Sequence, residues 1–227
     1  MADSESLRLN KHLALQLGVS RREADNLIAA REVTVNGKIA ELGGRFSEGD
    51  LILVKGKELT GSTDYVYLAL NKPTGYVCSR KQQGEHPTIY ALLPEKYHNL
   101  KPVGRLDQNS SGIILLSNDG DFAFQMTHPK FNKVKVYEVK LDRDLEPLHQ
   151  QMISDHGIQL EDGPSKLSLE RLSETNRVEW RVTMSEGRNR QIRRTFNSLG
   201  YEVTELNRTN FGNYSLGDIK PGKFVIL

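Results

Sequence analysis

One cysteine and one tryptophan are all the chain holds of either residue, and it has no long apolar run. Cys78 alone can form neither an internal disulfide nor a cysteine cluster for zinc, which fits a reducing compartment and removes two common ways of building a site. The longest apolar runs, such as Ile113 to Leu116, fall far short of the roughly 20 residues that span a bilayer. The opening Met-Ala-Asp-Ser-Glu-Ser has no basic start and no apolar stretch of a secretion signal, so a cytoplasmic protein without membrane attachment is expected. An excess of one charge is also missing: 31 basic residues face 29 acidic ones, for a net +2. Low-complexity tracts are absent, and 37% hydrophobic with 26% charged residues excludes wholesale disorder. A length of 227 residues leaves room for one generous domain or two smaller ones.

The balanced total conceals local clusters. Arg8, Lys11, Arg21, Arg22, Arg31 and Lys38 stand against only Glu23, Asp25 and Glu32 over the same stretch, and four arginines fall within residues 188–194. Each run taken alone reads most simply as a solvated face. The first run has an organisation, however. Leu9, Leu13 and Leu17 recur at helical spacing up to Gly18, and Ser20-Arg-Arg-Glu23 is a capping box opening a second helix through Arg31. Val33 to Ala40 then reads as a β-hairpin, because Asn36-Gly37 supplies the positive φ angles of a tight turn, and Leu51 to Val54 is a further strand. With these residues in hand, Leu7 to Lys57 resembles the S4 RNA-binding domain, most specifically at Ser20 to Ala24 and Val35 to Lys38. The resemblance implies an RNA-facing surface on the second helix and hairpin, with Lys11, Arg21, Arg22, Asn36 and Lys38 as phosphate and sugar contacts.

Residues 59–64 are small, polar and turn-prone, and read as a linker between an S4-like domain at 1–58 and a second domain at 65–227. Strands are expected beyond it at Val66–Leu70, Ile113–Leu116, Lys135–Leu141, Leu167–Glu170 and Val178–Met184. Helices are expected at Thr88–Leu93, Asp121–Thr127, Pro147–Ser154 and Asn189–Leu199. Several strands lie too close in sequence for a parallel crossover, so the fold class is α+β with a mostly antiparallel sheet.

Several chemistries drop out. Ser117 to Asp121 superficially suggests a calcium loop, but with Gly120 in sixth place Leu115 and Met126 occupy positions that need carboxylates. The six histidines show no paired ligand spacing, and no glycine loop has the lysine of a phosphate-binding loop. No metal and no cofactor is therefore expected. Cys78 reads as a small buried thiol at a strand end. Asp107 differs, because the turn-rich loop Val103 to Gly112 feeds directly into an apolar strand and presents a carboxylate at the edge of a core. Tyr137 lies within a strand between Val136 and Val139. In a helix beyond Asn189, Ile192, Phe196 and Leu199 form the buried stripe with Arg193 beside it, and a half-buried arginine needs an anion, either RNA phosphate or Asp107.

The order Asn71-Lys-Pro-Thr-Gly75, Gly104-Arg-Leu-Asp107, Ser110 to Gly120, Lys135-Val-Tyr137-Glu and Glu186 to Arg194 resembles the ribosomal RNA pseudouridine synthases that carry an S4 domain. The resemblance covers nearly the whole chain. It implies a cofactor-independent enzyme that isomerises one uridine of ribosomal RNA, free or in an assembling subunit. It implies Asp107 as the catalytic aspartate, Tyr137 beside a flipped-out base, and Arg193 as the arginine that pairs with Asp107. Arg105 would fill the vacated stack or hold a phosphate, and Arg188, Arg190 and Arg194 would face RNA. Residues 157–163 resemble the large-subunit enzymes and Gly75 to Ser79 the small-subunit ones, with the large subunit slightly favoured. A monomer is expected. Two rival classes are a non-catalytic S4-type ribosome-associated protein, which leaves the Asp107, Tyr137 and Arg193 elements without a reason, and a methyltransferase, which needs a nucleotide-binding glycine loop after a strand.

Overall fold

The computed structural model describes residues 6–59, 64–80 and 84–227. The chain divides into two compact units, residues 1–66 and 67–227. Most of the expected linker, residues 60–63, lies outside the described residues.

In the first unit α1 (Leu9–Gln16) and α2 (Arg21–Ala29) pack on a four-stranded antiparallel sheet of order β2-β1-β3-β4, where β1 is Val33–Val35, β2 Lys38–Ile39, β3 Ile52–Val54 and β4 Lys57–Glu58. The capping box forms in both directions: Ser20 Oγ accepts from the Glu23 amide at 3.1 Å, and the Ser20 amide donates to Glu23 Oε2 at 2.6 Å. Leu9, Leu13, Ala24, Ile28 and Val33 build the core. Two details differ from the expected pattern. Leu17 lies past the end of α1 and is exposed, and α2 stops at Ala29 because Arg31 is already left-handed, at φ 60°.

The second unit is organised on one nine-stranded mixed sheet. Its strands are β5 (Tyr67–Lys72), β6 (Lys101–Val103), β7 (Ser111–Ser117), β8 (Lys135–Leu141), β9 (Ser168–Arg171), β10 (Glu179–Met184), β11 (Val203–Phe211) and β12 (Phe224–Ile226), with a short addition at Tyr214–Ser215. The path runs β9-β10-β8-β11-β7-β5-β12, with β6 also on β7. The pairing of β11 with β7 is parallel and its neighbours are antiparallel, so the fold is α+β with a mixed sheet. Helix α3 (Gly120–Thr127) is capped by Asp119, whose Oδ1 accepts from the amides of Asp121 and Phe122, so the Ser117 to Asp121 segment is a helix start. Thr88–Leu93 forms only a 3₁₀ turn at Ile89–Leu92, and Pro147 starts a helix that ends at Gln151 in a widened turn through His156. Helix α4 (Gln191–Asn197) starts later than expected because Arg190 is left-handed, at φ 47°.

Strand β11 is absent from the expected elements, yet it is the longest in the sheet and central to it. Its sequence, Val-Thr-Glu-Leu-Asn-Arg-Thr-Asn-Phe, carries too little apolar alternation to announce a buried strand. Its close seat against β7 depends on Gly112. That residue stands at φ 106°, and a Cβ there would lie 2.2 Å from the Arg208 carbonyl oxygen and 2.5 Å from its amide nitrogen.

Candidate active site

The central strands place their chemistry in one row. Register pairs Tyr137 of β8 with Arg208 of β11, Arg208 with Gly112 of β7, and Gly112 with Lys72 at the end of β5. The loop 104–110, running from β6 into β7, arrives at this row and brings Asp107 with it. A cavity of about 610 Å³ opens there, lined among others by Arg105, Asp107, Tyr137, Arg190 and Arg208. That volume suits a ligand of nucleotide size.

Asp107 is partly exposed in this cavity, and Arg190 Nη1 stands 3.6 Å from its Oδ2. The same Arg190 nitrogen donates to Asn109 Oδ1 at 3.3 Å. Arg193 makes a different contact from the expected one. Its Nη2 donates to the Asn109 carbonyl at 2.7 Å and its Nη1 to the Val203 carbonyl at 2.5 Å, so it clasps the backbone behind Asp107 and leaves the ion pair to Arg190. The geometry explains the exchange: α4 begins only after Arg190, which sets that residue over the loop and turns Arg193 toward β11. Burial, with Arg190 close by, pushes the Arg193 pKa down, and Asp107 and Glu202 pull it back up. Tyr137 is buried in the cavity wall. Arg105 is exposed at the rim.

Two of the expected RNA-facing arginines are committed within the protein. Arg194 grips Asp162 with two parallel bonds of 3.0 and 2.7 Å, and Arg188 Nη1 donates to Asp162 Oδ1 at 2.9 Å while its Nη2 reaches the Pro164 carbonyl. Together they fasten the Ile158–Leu160 and Gly163–Ser165 hairpin to the loop before α4. The arginine partners hold the Asp162 carboxyl below its ordinary range. In the first unit Asn36 is likewise committed to its turn, donating to Asp50 Oδ1 and accepting from the Leu51 amide, whereas Arg21, Arg22 and Lys38 are exposed. Lys11 lies part-buried on α1.

Three further groups shape the site, and the sequence pattern gives none of them a place in it. Lys72 is fully buried, donating to the carbonyls of Ser110 at 2.6 Å, Pro73 at 3.0 Å and Gln108 at 3.4 Å, so it ties down the loop that carries Asp107. Burial lowers its pKa from 10.5 to about 8, against the pull of Cys78 and Asp107. Arg208, 2% exposed, donates Nε to the Ile113 carbonyl and lies over the Phe211 ring, and its Nη2 has no hydrogen-bond partner among the described residues. Cys78 accepts from the Leu106 amide at 3.4 Å, one residue before Asp107, and burial pushes its thiol pKa up. No group of three potential metal ligands occurs among the described residues, and no helix among them is long and apolar enough to cross a membrane.

A loop carboxylate beside an arginine, a tyrosine wall and a cavity of nucleotide size can now be set against known proteins. The family model described as RNA pseudouridylate synthase matches residues 66–198, and the S4 domain model matches residues 7–52. The chain belongs to the RNA pseudouridylate synthase family. It is similar to the ribosomal large subunit pseudouridine synthase B of Bacillus subtilis (strain 168), at 35% identity over 95% of this chain and 89% of that protein. It is also similar to the ribosomal small subunit pseudouridine synthase A of Yersinia pestis, at 34% identity over 96% and 93%. A crystal structure of a pseudouridylate synthase superposes with a TM-score of 0.69 at 33% identity, covering 98% of this chain and 96% of that one. As a member of this family the chain is an isomerase with an N-terminal S4 domain.

Proposed function

We propose that the protein converts a uridine of ribosomal RNA to pseudouridine, with Asp107 as the reacting carboxylate on a nucleotide flipped out of its helix. The observation that carries this reading is the Asp107 carboxylate, 3.6 Å from Arg190, lining a nucleotide-sized cavity that Tyr137 also lines. Relatives named for both ribosomal subunits match almost equally, so the slight lean to large-subunit RNA is a choice of first substrate.

The reaction breaks the bond from C1′ to N1 of uracil, turns the base, forms a bond from C1′ to C5 and returns the C5 proton to N1. Atoms and electrons balance without an oxidant, a hydrolytic water or a second substrate. An ionised Asp107 has two ways to act: attack at C1′ as a nucleophile, or removal of the C2′ proton as a base. Arg190 holds the carboxylate in place for either. The base leaves with negative charge, and the cationic side of the cavity, with Arg190 and Arg208 on its walls, favours that charge more than it favours the neutral nucleotide. Tyr137 offers a flat wall to the turning base. Paired or stacked uridine hides both C1′ and C5, which makes extrusion a requirement and gives exposed Arg105 at the rim a place in the vacated stack or on a phosphate. Carbodiimide labelling of ribosomal RNA incubated with the protein tests the reading. A labelled uridine that depends on Asp107 supports it, and unmodified RNA from both subunits overturns it.

A further inference from the structure

The outward face of α3 is wrong for a helix that only has to fold. Phe122, Ala123 and Met126 point inward and pack on the sheet core with Ala69, Val103 and Ile113. Solvent should then meet polar residues. Instead Phe124 is 45% exposed, and Phe131, in the turn that follows α3, is 37% exposed. The two rings meet edge to face with centroids 5.7 Å apart, and His128 lies 4.6 Å from Phe124. Lys130 Nζ stands over both, 5.1 Å from the centre of Phe124 and 4.7 Å from that of Phe131. The left-handed Asn132 and the bond from the Lys130 amide to His128 Nδ1 hold this turn in shape.

We propose that Phe124, Phe131 and Lys130 form a stacking subsite for an unpaired RNA base outside the catalytic cavity. Position and charge select this occupant. The patch adjoins the cavity mouth, because Thr127, His128 and Lys133 from the same segment line the cavity. No acidic residue occurs between Asp121 and Glu138, while Lys130, Lys133 and Lys135 do, so a polyanion is favoured over an acidic or neutral partner. Size argues the same way. At about 200 Å² per phenylalanine, the exposed part of the two rings is on the order of 160 Å², a fraction of the ~800 Å² per partner of a stable protein interface, and enough for one or two bases. The ammonium of Lys130 covers the rings in the free protein by a cation–π contact. On binding, its flexible stem lets it move to the phosphate of the stacked nucleotide and open a ring face.

The test is a binding measurement with two probes, a labelled single-stranded oligouridylate and an abasic polymer of the same length that keeps the phosphates and lacks the bases. Base stacking on an aromatic ring is lost by alanine substitution at a cost of roughly 5- to 150-fold in affinity. Phe124→Ala/Phe131→Ala should therefore weaken oligouridylate binding about tenfold or more and leave the abasic polymer unchanged. Phe124→Leu/Phe131→Leu, which keeps apolar bulk and helix packing but removes the flat ring, should behave the same way. Lys130→Ala should weaken both probes and flatten the salt dependence. At saturating RNA the ring variants should keep kcat and show a raised KM. Unchanged oligouridylate affinity in both double variants overturns the proposal. So does an equal loss on both probes, or a change confined to self-association. The binding assay does not require conversion, so RNA left unmodified by the wild type would overturn the proposed function while leaving this subsite standing.

Discussion

Gly112→Ala should be among the most damaging single-methyl additions to this protein. The new Cβ would sit 2.2 Å from the Arg208 carbonyl oxygen and 2.5 Å from its nitrogen. Both are backbone atoms of a central strand, with no flexible side chain to step aside. Relief to an ordinary contact requires β7 and β11 to part by about 1 Å, which breaks the parallel pairing at Asn207↔Ser111 and Arg208↔Gly112. Losing two ladder bonds costs about 1–3 kcal/mol. Holding alanine at φ 106° adds on the order of 1–3 kcal/mol. A total of about 2–6 kcal/mol is a large part of the ~5–15 kcal/mol that a domain has. At roughly 2–4 °C per kcal/mol for a unit of this size, the Tm should fall by about 4 °C at least and by more than 20 °C at most. The single tryptophan, Trp180, is fully buried in the second unit, so its fluorescence follows that unit's unfolding alone. A Gly112→Ala variant within 2 °C of wild type would refute the close approach of the two strands.

Three other perturbations probe the site and the first unit. The Lys72 pKa is lower in the fold (about 8) than in the unfolded chain (10.5), so its burial penalty is full below pH 8 and disappears as pH rises from 8 towards 10.5. Wild-type stability should therefore climb by up to about 3 kcal/mol more across that window than Lys72→Met stability in urea titrations; parallel profiles would contradict the shift. Arg193→Lys should lower kcat about tenfold or more, because one ammonium cannot span the carbonyls of Asn109 and Val203, whereas Arg190→Lys, facing Asp107 at 3.6 Å, should retain most activity. The reverse order would return the carboxylate contact to Arg193. Charge reversal at Arg21 and Arg22, exposed on the capped helix of the S4 domain, should reduce the log-log salt slope of RNA binding by about 0.7 to 0.9 for each phosphate that is no longer neutralised. An unchanged slope would place the phosphates elsewhere.

Legibility follows the reach of local rules. The capping box at Ser20 and Glu23, the Asn36-Gly37 turn and strand β8 depend on near neighbours in sequence, and they are readable for that reason. Strand β11 is not, because its polar residues point into a cavity or to solvent, and a buried strand that lines a site loses the apolar alternation that marks it. Arg208 is hidden with it. Lys72 is visible in Asn71-Lys-Pro, but only tertiary structure shows that its ammonium gathers carbonyls from a loop more than thirty residues away. In the arginine cluster at residues 188–194, the sequence reads Arg193 as the partner of Asp107 and Arg188, Arg190 and Arg194 as RNA-facing. Folding divides the cluster differently, sending Arg188 and Arg194 to Asp162, Arg193 to backbone and Arg190 to Asp107, a division set by the left-handed turn at Arg190 that spacing along the chain does not reveal.

The central claim is that the Asp107 carboxylate performs the isomerisation. Asp107→Asn keeps the side chain's size and its place in the loop while removing the reactive charge, so RNA affinity and Tm should stay near wild type. Carbodiimide labelling of ribosomal RNA under single-turnover conditions should show pseudouridine formed by the wild type and none by the variant. Turnover of the variant within tenfold of wild type would remove Asp107 from the chemistry and contradict the account.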